Sequence, residues 1–423
     1  MPTTSRLLVL TTLALWTAAC GSSQQAQTIT ISGSTLGAEG AILRTQLARF
    51  ASTHPGVSAQ AVATPDAADQ RHQLYVQHLN AHVGEPDVLQ LDVIWTAEFA
   101  GAGWIRPLDE FQPDLSDFVP AAVAASRWRG RQYAMPWFVD LGLLYRRTDL
   151  VPDAPRSLAE LDTVARGAQA AGQVRYGLVW QGARYEGLVT VFLEHLAAFG
   201  GGILDDRARV IVDQPPAIRA LSFMHDAIAA SVVPASALTW QEEQTRFAFQ
   251  NGGSAFMRNW PYAWALLQDA ARSPVAGRVA VSSFPAAAGG REASALGGAQ
   301  LAINAFSRQP ALAWELVRFL TAPEQMLERA RTAAQFPPRR SLYDTTALAD
   351  ALPMTPDEAR RLLDAAVARP VTPVYSELSE LLQVQLHRAL SDQTPPEVAL
   401  ATAAVQIRAL LARTGLAAPE DAP

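Results

Sequence analysis

The chain of 423 residues contains no lysine: its 34 Lys+Arg residues are all arginine. That absence removes whole classes of chemistry. A Walker A loop needs a lysine against the nucleotide phosphates, and Schiff-base or pyridoxal catalysis needs an amine. Cysteine is almost as scarce, with Cys20 alone. No disulfide can form within the chain, and no thiolate metal cluster can assemble. The arginines form no dense basic run and the formal net charge is −6. Nucleic acid, whose phosphates demand clustered cations, is therefore not an expected partner. A G-x-S-x-G elbow, a dinucleotide G-x-G-x-x-G fingerprint and an H-E-x-x-H pair are also missing. His72, His78 and His82 lie close in sequence, and His78 and His82 are spaced to share a helix face. Three ligands do not converge from them, so no metal and no cofactor is expected.

What is present is globular: 49% apolar and 17% charged residues, far from a disordered composition. A chain of this length exceeds one ordinary core, which predicts two compact domains. The N-terminus reads as an export signal. Arg6 supplies the positive charge, Leu7 to Trp16 an apolar stretch interrupted by Thr11 and Thr12, and Thr17-Ala18-Ala19 the small residues before Cys20. The apolar stretch is too short to stay in a bilayer as a span. Residues 1–19 are expected to be a signal peptide. The position of Cys20 resembles that of the acylated cysteine of bacterial lipoproteins, which makes 20–27 a lipidated tether holding the protein to the membrane. The departure is Thr17 three residues before Cys20, where leucine is usual. A plain secretory signal is the competing reading.

Periodicity organises the rest. Thr28 to Ile31 alternates as a strand, a helical pattern runs from about Glu39 to Ser52 and stops at Pro55-Gly56, and Val57 to Val62 alternates again. Strand–helix–strand is the unit of a parallel α/β sheet. A further helix is predicted over about Ala67 to Ala81, then an apolar strand in Asp87 to Trp95 with Asp92 near its end. Tyr133 to Leu150 reads as extended segments around Pro136, and a mostly helical region follows to about Pro285. Gly297 to Phe306 is strand-like and feeds one long helix, Pro310 to about Arg331. Residues 417–423 read as a disordered tail.

Several idioms stand in order along the chain: RFASTHPGV, DVLQLDVIWTAEFAGAGWIRPLD, MPWFVDLGLLYRRTDL, FMRNWPYAW, ALGGAQLAIN and FPPRRSLYD. With them the chain resembles the extracellular solute-binding proteins of ATP-driven (ABC) sugar importers, in the group similar to the trehalose/maltose-binding lipoproteins. The resemblance covers nearly the whole mature chain. It implies an α/β, bilobal periplasmic-binding-protein fold: two discontinuous α/β lobes joined by a hinge, with a central ligand cleft. Lobe 1 would hold 28–138 plus 295–341 and lobe 2 would hold 139–294 plus 342–416. The crossovers are expected near Pro136 to Leu141, Ala286 to Ala295 and Arg340 to Tyr343. It also implies a binding protein and not an enzyme, extracytoplasmic and monomeric. Such a protein captures a disaccharide of the trehalose, maltose or sucrose kind and hands it to an ABC permease in the membrane. A glycerophosphodiester or another polyol is the alternative ligand, and a carbohydrate-active enzyme the alternative class.

A sugar presents directional hydroxyls, which carboxylates and arginine answer, and flat C–H faces, which aromatic rings answer. Asp92, at the carboxyl end of its strand, sits where open α/β sheets bind ligands; a helix cap is its plainer role. Asp140 follows Trp137-Phe138-Val139 in an apolar segment and needs a strong partner. That partner is a sugar hydroxyl by resemblance, with Phe138 lining the pocket where relatives often have tyrosine, or Arg146 or Arg147 by proximity. Pro261 restricts Trp260 to extended backbone and opens the next helix. Trp260 then reads as a platform that stacks on a sugar ring, Tyr262 as a second ligand contact that stacks or donates its hydroxyl, and Trp264 as core. Gly298, beside Gly297, either lets a ligand reach bare backbone or makes a bulge or hinge turn. Arg339, or its neighbour Arg340, resembles the family's cleft arginine. Glu39 and Arg71 occupy positions similar to polar contacts in relatives, against plainer readings as a helix N-terminal charge and a solvated helix face.

Overall fold

The computed structural model describes residues 27–33, 37–65, 67–349 and 351–418. The expected signal peptide, Cys20, most of the tether and residues 419–423 lie outside the described residues. Among the described residues eleven strands form: β1 (Gln27–Gly33), β2 (Val57–Ala63), β3 (Val88–Asp92), β4 (Arg127–Trp128), β5 (Arg131–Gln132), β6 (Ala134–Leu141), β7 (Leu143–Arg147), β8 (Tyr176–Val179), β9 (Ser254–Asn259), β10 (Val279–Ser282) and β11 (Leu296–Ile303). They build a five-stranded sheet in the order β2-β1-β3-β11-β6, a four-stranded sheet in the order β10-β7-β9-β8, and the β4-β5 hairpin. The two larger sheets give the bilobal α/β architecture.

In the first sheet β1 runs parallel to β2 and β3, while β11 runs antiparallel to β3 and β6. The central strands are covered on both faces and are nearly fully buried, whereas the edge strand β2 is half open to solvent. Ile29, Ile31, Val88, Leu301 and Ile303 pack with Leu43, Leu47 and Phe50 of the helix Gly37–Ser52 and with Leu316, Val317 and Leu320 of the helix Pro310–Leu320. Leu89 and Leu91 point the other way, onto Tyr75, Leu79 and Phe99. Pro136 is tolerated within β6 because β6 is an edge strand, where a missing donor costs no ladder bond. The predicted helix from Pro310 to Arg331 is two helices, Pro310–Leu320 and Pro323–Ala333. Pro323 takes the first turn of the second and holds Ala322 extended at ψ 149°.

The second sheet is buried against the helices Glu186–Ala198, Pro215–Ala229, Tyr375–Leu390 and Pro396–Arg413. Ala417 and Ala418, assigned to the tail by composition, are packed: the Ala417 amide donates to the Leu411 carbonyl at 3.1 Å and Ala418 is buried.

The chain switches sheets at one residue. β6 stays hydrogen-bonded to β11 through Leu141, and β7 begins at Leu143. Gly142 alone separates them, and its amide donates to the Ala295 carbonyl at 3.1 Å. Ala295 lies immediately before β11, on the return pass between the sheets.

Candidate ligand-binding site

The register across three strands brings the acidic candidates together. Asp140 of β6 pairs with Gly297 of β11, and Ala299 two residues on pairs with both Phe138 and Asp92. Asp140, the glycine pair and Asp92 therefore lie side by side at the carboxyl end of β3. Trp260 arrives from the other sheet, one residue past the end of β9. A Cβ on Gly297 would lie 3.1 Å from the indole Cζ3 of Trp260 and 3.5 Å from the Cβ of Asp140. That glycine is the space in which an acidic wall and an aromatic wall meet.

Asp140 is half-buried by exposure yet set deep among protein atoms, and its carboxylate has only charge contacts, none of them a hydrogen bond, among the described residues. Its pKa is pushed up to about 8, first by desolvation and then by the like charges of Glu39 and Asp92, with Arg329 and Arg258 pulling the other way. Arg329 is the cation facing it. This residue is buried in the helix Pro323–Ala333 with its guanidinium 4.0 Å over the Trp137 ring and 5.3 Å from Phe138. Burial lowers its pKa to about 10 against the pull of Glu39 and Asp140. Its Nε donates to Gln335 at 2.9 Å, and its Nη1 is buried without a hydrogen-bond partner. Buried polar groups are rarely left so, and a hydroxyl-rich ligand is the kind of molecule that would complete them.

Asp92 is already engaged. Its Oδ1 accepts from Arg369 Nη2 at 3.0 Å, and Arg369 Nη1 donates to Glu186 Oε1 at 2.8 Å. Glu186 opens a helix of the second lobe and also accepts from the Tyr375 hydroxyl at 2.8 Å. Burial works against the Arg369 charge, but Asp92 and Glu186 outweigh it and raise its pKa. The triad ties the first sheet to the second lobe.

On the aromatic side, one face of Trp260 is covered: the Arg258 guanidinium carbon lies 3.9 Å from the ring centroid. The ring Nε1–H donates to Glu242 at 3.4 Å. The Tyr262 hydroxyl donates to Glu243 at 2.7 Å, and burial, then Glu243, pushes its pKa up. The Tyr185 hydroxyl lies buried near the same Glu242, and burial, then Glu242, pushes its pKa up. Pro261 opens the turn as expected, with Trp264 N–H donating to its carbonyl at 2.9 Å, and the helix Ala263–Leu267 begins two residues later.

Glu39, Asp92, Phe138, Asp140, Trp260 and Gly298 thus fall in one neighbourhood. Arg71 stands to one side, over the Trp95 ring at 5.4 Å and donating to the Pro65 carbonyl. Arg339 does not reach the carboxylates. It is held by Asp117 at 3.2 Å, by the Thr321 carbonyl at 2.9 Å and by the Phe118 ring at 4.3 Å. Arg340 donates to the Ser116 carbonyl and lines an open groove of about 550 Å³ that shares no residue with the site. The cations packed against the acidic cluster and the ring are instead the buried Arg329, Arg369 and Arg258. Gly298 needs no ligand to explain it: φ is +111° and a Cβ would strike the Phe138 carbonyl oxygen at 2.3 Å. Among the described residues no cluster of three His, Cys, Asp or Glu can hold a metal ion, and no helix is long and apolar enough to cross a membrane.

The missed residues left faint signals. Arg329 follows Met326 by three on an amphipathic helix, which puts it on the buried face with Ala330 and Ala333. Arg258 alternates with Phe256 on a strand whose every residue is buried. Glu186 and Glu194 are the carboxylates in the largely apolar run EGLVTVFLEHLAA, and carboxylates in such a run are seldom buried unless paired.

The chain is similar to known proteins over most of its length. The family of bacterial extracellular solute-binding proteins matches residues 33–327. A curated protein of Deinococcus radiodurans, named "Probable ABC transporter-binding protein", is 35% identical over 85% of this chain and 88% of its own. The maltose-bound T. maritima MalE3 structure is 40% identical and covers 91% of this chain and 100% of its own, with a TM-score of 0.86. The GacH receptor of Streptomyces glaucescens, solved unliganded and with acarbose, is 27% identical over 91% of this chain and 98% of its own, with a TM-score of 0.82.

Proposed function

We propose, from the premise that this chain belongs to the bacterial extracellular solute-binding protein family, that it captures a disaccharide of the maltose, trehalose or sucrose kind between its lobes. It is a sugar-binding substrate-binding protein of an ABC transporter, works outside the cytoplasm and is not an enzyme. The observation that carries the disaccharide reading is the meeting of Asp140 and Trp260 over Gly297. A pyranose whose C–H face lies on the free side of the Trp260 ring would bring its hydroxyls against Asp140, Glu39 and Arg329. Closure of the lobes about the hinge would trap it, and the closed form would deliver it to the permease.

Two features favour a ring sugar over the other ligands considered. Indole offers a flat platform of about the extent of a pyranose face, which an acyclic polyol uses poorly. Glu39 and Asp92 already raise the cost of ionising Asp140 here, so a phosphodiester would enter against repulsion. Isothermal titration of the purified chain with maltose, trehalose, sucrose, mannitol and a glycerophosphodiester tests the reading. Tight binding of at least one disaccharide is expected. Mannitol or the phosphodiester binding more tightly than every disaccharide would reverse it.

We also propose that Cys20 is acylated and tethers the mature protein, as a monomer, to the membrane. Mass spectrometry of membrane-extracted protein should find the lipid on Cys20, and Cys20→Ser should release the protein to the soluble fraction. Retention of that variant in the membrane would refute the anchor.

A further inference from the structure

Beneath the aromatic wall lies a buried charge pair that the binding reading does not use. Arg258 and Glu194 are both 0% exposed, with Nη2 2.6 Å from Oε1. Arg258 Nε also donates to Glu194 Oε2 at 2.9 Å, and Nη1 donates to Gln181 Oε1 at 3.1 Å. Gln181 turns back and donates its own Nε2–H to the Arg258 carbonyl at 3.1 Å. The guanidinium is therefore held at every edge, and its face is the floor under Trp260 at 3.9 Å.

The carboxylate has a second duty. Glu194 Oε1 accepts from the Ala295 amide at 3.2 Å, and the Ala295 carbonyl accepts from the Gly142 amide at 3.1 Å. Gly142 and Ala295 are where the two strands pass between the sheets. At Gly142 the fit leaves no room: a Cβ would lie 1.6 Å from Glu194 Oε1 and 2.6 Å from Arg258 Nη2. A continuous line of contacts runs from the hinge strands, through the ion pair, to the underside of the ring.

We propose that Arg258 and Glu194 are positioning residues that couple the tilt of Trp260 to the hinge. The proposal rests on Trp260 being a ligand platform, but the coupling itself exists without ligand. A buried ion pair is poor evidence for stability, because apolar groups of the same volume often do as well or better. What an apolar pair cannot do is accept the Ala295 N–H and grip the ring face together. When the lobes swing about Gly142 and Ala295, the carboxylate moves with the amide it holds, the guanidinium moves with the carboxylate, and the ring moves with its floor. The platform is then set for a sugar only in one hinge position, which links binding to closure.

The test uses the full chain and two readouts. The first is ligand-free. The near-ultraviolet circular dichroism of Trp260 is taken as the difference from Trp260→Phe, and Gly142→Ala is introduced with and without the double replacement Arg258→Met/Glu194→Met. Coupling predicts that Gly142→Ala alters the Trp260 signal in the native background and leaves it unaltered in the apolar background. An identical change in both backgrounds overturns the proposal. The second readout is maltose affinity by titration with closure by small-angle scattering. The apolar pair, folded by its native-like denaturation midpoint, should bind about tenfold more weakly and lose the ligand-induced contraction, while Arg258→Lys with Glu194 intact should recover part of both. Native affinity and contraction in the apolar pair also overturn it. If the native chain binds no sugar, the disaccharide reading fails, and the first readout still decides the coupling.

Discussion

Truncating Trp260 to alanine perturbs two things at once, and their sizes differ. The ring is half-buried, with one face on Arg258 and an edge on Gly297. Removing a central aromatic anchor from a binding site typically costs about 2 kcal/mol or more, roughly a thirtyfold loss of affinity. The same truncation uncovers the guanidinium of Arg258, which is 0% exposed. Loss of a desolvated cation–π contact costs about 2 kcal/mol of fold stability. Trp260→Ala is therefore expected to weaken maltose binding at least thirtyfold and to lower the urea midpoint measurably, without unfolding the chain. Trp260→Phe keeps a flat face over Arg258 and loses only the long Nε1 contact to Glu242, so it should retain most of the stability and part of the affinity. Titration calorimetry and urea denaturation of the three proteins read both quantities. Undiminished affinity in Trp260→Ala would refute the platform. Equal losses in the alanine and phenylalanine variants would show that the ring face is not what matters.

Three further outcomes follow from the site. Asp140→Asn should weaken sugar binding more than Glu39→Gln, because Asp140 lies beside the ring while Glu39 acts from the first turn of its helix; titrations in the reverse order would defeat this. Arg339→Ala should lower stability and leave affinity alone, since its contacts are Asp117, Thr321 and Phe118, whereas Arg329→Met should lower affinity; a drop in maltose affinity for Arg339→Ala would restore it to the cleft. The folded-state pKa of Asp140 is raised from 3.8 to about 8, so the folded protein holds a proton that the unfolded chain releases. Its contribution is complete below the unfolded value and is lost as pH rises through the folded one. Urea midpoints of the unliganded protein should thus fall between about pH 4 and pH 8, and Asp140→Asn should flatten that fall. A slope unchanged by the substitution would place the titration elsewhere.

Local pattern made much of this molecule readable. The strand carrying Asp92 is an apolar run with one carboxylate at its end, and it forms where the pattern puts it. Pro261 marked the turn after Trp260 because a proline restricts its predecessor wherever it stands. The misreadings share a cause, which is that distant packing decides them. Leu316, Val317 and Leu320 suggested one helix through Arg331, and Pro323 divides it. Arg339 and Arg329 are indistinguishable as letters. One is pinned on a surface loop by Asp117, and the other is drawn inward because Met326 and Ala330 fix its helix face toward Trp137. Arg369 precedes a proline in a segment without regular structure, so no periodicity announced that it would span both lobes. No local pattern marks Gly142, because the place of its side chain is filled by Glu194, 52 positions away.

The helix Glu186–Ala198 is buried along its whole length, every one of its 13 residues included. Elements without a solvated face have no route to partial opening, so their amides trade hydrogen for deuterium only when the entire domain comes apart. The two carboxylates that hold the lobes in register, Glu186 at its start and Glu194 in its middle, are thus mounted on the part of the lobe least able to breathe. Slow isotope exchange there, alongside faster exchange in the helix Ala263–Leu267 beside the ring, would be the mark of a joint that bends around a fixed axle.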